Sequence, residues 1–174
     1  MPTDYIFKCN CCDTIYNEIP LCFGADYPDY YFSLPETERE GSVEVTESLC
    51  VIDGHFFHRG RLIIPITDYS EDLIFNVWTT ISEDNFRLRN DLWNDPERML
   101  QKPYFGWLDT PIPTYEKSLS IKTIAHENEV GLIPTIEIID ESHDLFYDQQ
   151  NGISLEEAVN KVQQILASTH QNKQ

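Results

Sequence analysis

A chain of 174 residues with thirty acidic against twelve basic side chains, a net charge of −18, lacks the basic face that nucleic-acid or anionic-membrane binding needs. Its hydrophobic content of 41% and aromatic content of 12% exclude a disordered chain and supply a core that folds without covalent staples. The start, Met1 to Cys9, has neither the basic residues nor the apolar run of a signal peptide. No apolar run approaches the roughly 20 residues of a membrane span. Five cysteines make an odd count for a disulfide framework, so the chain reads as cytoplasmic with reduced thiols.

Residues 4–12 alternate through Tyr5, Phe7 and Cys9 and predict a short strand leading into Cys9-Asn10-Cys11-Cys12. From Pro20 to Pro35, turn signals and clustered rings predict a packed loop, and residues 36–47, with five glutamates, a solvated segment opening in a helical turn. Asp53-Gly54 between Leu49–Ile52 and His55–His58 is a hairpin signal, because both central positions of that turn need positive φ. Arg61–Thr67 and Leu73–Ile81 extend it into an antiparallel meander, with Pro65 pointing to an edge or a bulge. Ser82 caps a helix with Glu83 and Asp84 in its first turn and an apolar side of Phe86, Leu88, Leu92 and Trp93. Asp95-Pro96-Glu97 opens a second short helical piece.

Pro103–Tyr115 packs four rings, three prolines and a glycine into thirteen residues, which predicts an irregular ordered loop. Its rings, with Trp78, Trp93 and Trp107, read as interior filling. Lys117–Ile124 and Ile133–Ile139 read as strands. Ser154 to Glu157 is a capping box, Ile153 a staple onto Ala158, and Leu155, Val159, Val162 and Leu166 stripe the closing helix. The order predicts one α+β domain over residues 1–169: an antiparallel sheet or meander, a central and a C-terminal helix, and a short cysteine-bearing N-terminal turn. Residues 170–174 read as a polar tail.

Cys9 and Cys12 have the spacing of half a zinc site, since two residues of turn let both thiolates face one ion. Cys50 is the first candidate to complete it, followed by Cys22, His55 and His58; the alternative is ordinary reduced thiols in a folded turn. His143, among carboxylates and near Asp148, is a candidate acid or base, or else a hydrogen-bonded turn histidine. A Cys50 nucleophile paired with His143 is a further option. Phosphate-binding glycine loops, His-Glu-x-x-His and Gly-x-Ser-x-Gly are all missing from the sequence.

Several segments, taken in order, carry a resemblance: Phe7-Lys8-Cys9 to Cys12, Pro28–Phe32, Leu49–Asp53, Phe56–Gly60, Leu62–Pro65, Val77–Ser82, Pro103–Leu108, His143–Leu145 and Gln149–Ser154. The set resembles the bacterial domain of unknown function family 2199, most specifically in Pro-Tyr-Phe-Gly-Trp-Leu. The resemblance implies a cytoplasmic bacterial protein without an assigned activity. Members of that family read Cys-x-x-Cys-Gly-x-x-His where this chain has Asp13 and Tyr16. Their His-Pro-Leu is here His143-Asp144-Leu145, and their Glu-Gln is Asp148-Gln149. The functional expectation is a non-catalytic acidic module that meets a basic protein partner, in the manner of an immunity protein; a separate reading is an acidic mimic of nucleic acid, with carboxylates spaced like phosphates on one face. The alternative is a small metal-binding protein or enzyme that uses His143 and Asp148 or the Cys9–Cys12 cluster, with zinc as the cofactor.

Overall fold

The computed structural model describes residues 7–171. Tyr5 of the expected first strand and residues 172–174 of the expected tail lie outside them. β1 (Phe7–Lys8) and β2 (Ile15–Tyr16) pair antiparallel, and the cysteines occupy the turn between them, closed by Cys9 N–H donating to the Thr14 carbonyl at 3.0 Å. Where a packed loop is expected, β3 (Cys22–Gly24) runs parallel to a neighbouring strand and α1 (Asp29–Ser33) starts after Pro28. Tertiary pairing supplies this order, since three residues of strand carry no periodic signal of their own. α2 (Glu36–Ser42) takes the acidic segment, and β4 (Val43–Val45) pairs with β5 (Leu49–Ile52). Asp53 and Gly54 adopt φ of 48° and 79°, the paired positive values of the hairpin turn.

The turn leads into β6 (His55–Ile64), an inner strand that stops at Pro65, so the proline ends the strand and marks no edge. Next come β7 (Leu73–Thr80) and α3 (Glu83–Asp91), whose cap is Ser82 Oγ accepting from Asn85 N–H at 3.2 Å. A 3-10 turn (Pro96–Leu100) follows Asp95. β8 (Tyr104–Trp107), β9 (Lys122–His126), β10 (Thr135–Ile138), α4 (Asp144–Asn151) and α5 (Leu155–Gln171) complete the chain. The α+β reading fits. The sheet is mixed, however: β3 runs parallel to β7 and β10 parallel to β6.

Pro103–Tyr115 corrects the expectation of a wholly irregular loop. The four residues between Pro103 and Leu108 contain no proline, and they alternate: Tyr104 and Gly106 point inward, Phe105 and Trp107 outward. Trp107 is therefore 42% exposed; Trp93, just past α3, is 39% exposed as well, and only Trp78 of the three tryptophans is core. β9 begins later than expected because Lys117 and Ser120 take left-handed φ of 53° and 65°, which a strand excludes.

The strand order is β3-β7-β6-β10-β9-β8, and the sheet curls until β8, at one end, meets β7, the second strand from the other. Leu108 bridges Thr79, Asp109 N–H donates to the Trp78 carbonyl at 2.8 Å, and Trp107 N–H donates to Thr80 Oγ1 at 2.9 Å. Strands β6 to β10 thereby form a small barrel filled by Leu62, Ile64, Val77, Ala125, Ile136 and Ile138. Gly106 makes the seam: a Cβ there would collide with the Thr80 carbonyl. α5 lays Ala158, Val162, Ile165 and Leu166 on this core, while Leu155 and Val159 of the expected stripe are only partly buried against it; the helix continues through His170 and Gln171, both expected in the tail.

Candidate metal centre

The cysteine turn is held from two sides. Within the ribbon, Phe7 and Cys9 are buried and Tyr16 lays its ring beside Phe7, centroids 6.0 Å apart. From the other end of the chain, Gln163 of α5 donates from Nε2 to the Lys8 carbonyl at 2.9 Å and accepts from Asn10 N–H at 2.8 Å. Seven residues on, two helical turns along the same face, His170 arrives over the thiols. Its Nδ1 lies 3.0 Å from Cys11 Sγ, 3.5 Å from Cys12 Sγ and 3.8 Å from Cys9 Sγ. Cys9 and Cys11 sulfurs are 3.0 Å apart, and all four ligand atoms fall within 4.8 Å of one another.

This group can hold a metal ion. A tetrahedral zinc with Zn–S bonds of about 2.3 Å has edges of about 3.8 Å between its sulfurs, so the four atoms are spaced on the scale of one ion. Without a cation three adjacent thiols do not ionise together. Cys11 is pushed up to about 12, first by its hydrogen bond to Cys9, and Cys12 is drawn below its ordinary value by the Thr14 hydroxyl and amide. Thiolate ligation by a cation reverses that crowding.

The structure brings Cys9 and Cys12 together and adds Cys11 and His170, which the Cys-x-x-Cys spacing does not include. Cys50 is not brought to the group. It sits fully buried on β5 among Ile52, Phe57 and Trp78, where burial first and the Asp109 carboxylate second push its thiol up to about 11. Cys22 lies exposed on β3, His55 packs its ring near Tyr30 at 4.8 Å, and His58 is buried inside the barrel. The one sequence signal for His170 is its two-turn offset from Gln163, and nothing local connects either to the cysteines.

His143 and Asp148 line a cleft of about 600 Å³ with Tyr115, Tyr147 and Lys161. His143 caps α4: its Nδ1 accepts from Leu145 N–H at 3.1 Å, and its Nε2–H donates to the Glu116 carbonyl at 2.9 Å. Both nitrogens are occupied by backbone, which is the hydrogen-bonded alternative. A Cys50–His143 pair is excluded by the same contacts and by the burial of Cys50. Asp148 accepts from the Tyr115 hydroxyl at 2.6 Å, and burial first, then this hydrogen bond and charge, raise Tyr115 far above its ordinary value.

A family model described as an uncharacterized protein conserved in bacteria, domain of unknown function family 2199, matches residues 8–153. The chain belongs to this family. Neither the curated proteins nor the solved structures compared with it give a match. In this member of family 2199 the matched residues contain all three clustered cysteines, while His170 lies beyond them on α5. Tyr16 packs on Phe7, and the imidazole comes from the other end of the chain. Among the described residues no helix is long and apolar enough to cross a membrane.

Proposed function

We propose that this protein binds one zinc ion through Cys9, Cys11, Cys12 and His170, and that the ion fastens the N-terminal ribbon to the end of α5. The convergence of four ligand atoms within 4.8 Å, drawn from both ends of the chain, carries the reading. Three sulfurs and one imidazole are a borderline-soft donor set that suits zinc. Four protein ligands fill a tetrahedron and leave no position for substrate, so the ion acts as a structural clamp. A reducing compartment, the cytoplasm, keeps three such thiols available. Native mass spectrometry of the purified protein should show one zinc per chain that a strong chelator removes. A chain that stays metal-free when zinc is supplied, with Cys11 and Cys12 reacting freely with a thiol reagent, would remove this reading.

A second reading, recognition of a basic protein partner, is favoured by Phe105 and Trp107. These rings stand edge to face at 5.4 Å on the outer side of β8, about half exposed, on a chain of net charge −18. Exposed aromatics on a chain of net negative charge match the anchors and long-range steering of an interface with a basic partner. Capture at low salt of one defined basic protein, lost with Trp107→Ser, is the expected result. Capture that Trp107→Ser leaves unchanged counts against this face.

A further inference from the structure

Inside this acidic chain lies a positive surplus. Arg89 of α3 and Arg98 of the 3-10 turn each direct Nε to one oxygen of Glu127, at 3.0 and 2.9 Å, with all three side chains at 1–3% exposure. Arg89 Nη1–H also donates to His58 Nδ1 at 3.1 Å, which puts the His58 proton on Nε2, a buried atom without a partner among the described residues. Burial and the neighbouring Arg89 keep His58 neutral. Two guanidiniums against one carboxylate leave one positive charge uncompensated, and an unbalanced buried charge is among the most destabilising features a fold can carry. Arg98 spends two further N–H groups on the Trp93 and Leu132 carbonyls at 3.0 and 2.9 Å, which fixes its fork in place.

Both arginines line a cavity of about 100 Å³, shared with Ser48, Trp93, Leu132 and Ile133. That volume equals about three waters in the liquid, enough for a carboxylate and a carbon or two. Water would satisfy hydrogen bonds there but would not balance the charge. The apolar walls run outward to Trp93 and Leu132, which are 39% and 56% exposed, so a carbon tail can leave along them. The surplus is a single charge and the exposed Glu47 stands at the rim, a combination that suits a monoanion over a phosphate with its higher charge.

We infer that the Arg89–Arg98 cavity binds the carboxylate of a small organic acid with an apolar tail, which completes the charge balance of the buried network. This site is independent of the zinc clamp. Butyrate, acetate and inorganic phosphate are titrated into the intact protein at matched ionic strength, following tryptophan emission and the urea midpoint. Butyrate should bind saturably and raise the midpoint, acetate should bind more weakly, and phosphate should not saturate. Leu132→Trp, a substitution at an exposed rim position that leaves the arginines intact, should weaken butyrate at least tenfold, and Trp93→Phe should abolish the emission change while the midpoint shift remains. Absence of saturable butyrate binding, preference for phosphate, or butyrate affinity unchanged in Leu132→Trp would each overturn the assignment.

Discussion

Three thiols and an imidazole crowd together at the cysteine turn, while two guanidiniums and a carboxylate leave a positive excess at a buried point beside His58. The first region gathers its donors from the two ends of the chain and stays partly exposed; the second draws on α3, the 3-10 turn and the residue after β9, and its three side chains are almost wholly buried beside a small cavity. One region is poised for a cation and the other for an anion. The contrast shows how little a bulk charge of −18 says about local chemistry, because a few buried groups in low dielectric outweigh many solvated carboxylates.

The buried side of this comparison should break hardest. Glu127→Gln leaves both arginines without a counter-charge and should cost about 3–5 kcal/mol in urea unfolding, since removing one partner strands the others. Little change would mean that water already solvates the network. On the thiol side, Cys12→Ser removes a ligand and should weaken zinc more than about 100-fold, beyond the loss typical of an outer-shell partner, while the barrel keeps its circular dichroism. Zinc competition with a chromophoric chelator measures it.

A pH series sharpens the contrast further. The folded His58 lies well below 6.5, chiefly through burial, so on acidification the unfolded chain takes up the proton that the fold refuses. Its contribution is therefore intact above pH 6.5 and is lost below, at up to about 1.4 kcal/mol per pH unit. Asp109, pushed up to about 6 mainly by burial, works in the opposite direction: its proton is held by the fold, so stability falls as pH rises from 3.8 to about 6. Comparing wild type with His58→Gln, which keeps an acceptor for Arg89, isolates the histidine part as a flatter acid limb. The smallest effect belongs to neither region: His143→Ala should cost about 1 kcal/mol as a lost helix cap and leave zinc affinity unchanged. A change in zinc affinity there would join the cleft to the metal centre.

Much of the scaffold is readable from local spelling. The Asp53-Gly54 turn, the Ser82 cap and the stripe on α5 each depend on neighbours within one turn or one strand. Elements whose order comes from pairing escaped that reading. β3 exists because β7 offers an edge, and β8 because Gly106 can press against Thr80. The helix after His143 was hidden because a histidine is a rare cap and its acidic neighbours suggested a turn.

Residue types and local spacing thus determined the α+β composition, the hairpin, the helix caps and the pairing of Cys9 with Cys12 in one turn, since dihedral preference and short hydrogen bonds act within a few residues. Only the folded chain decided that His170 meets those thiols while Cys50 does not, and that Arg89, Arg98 and Glu127 share one buried point. Those juxtapositions come from barrel closure and helix docking, and their energies depend on which groups lose water together.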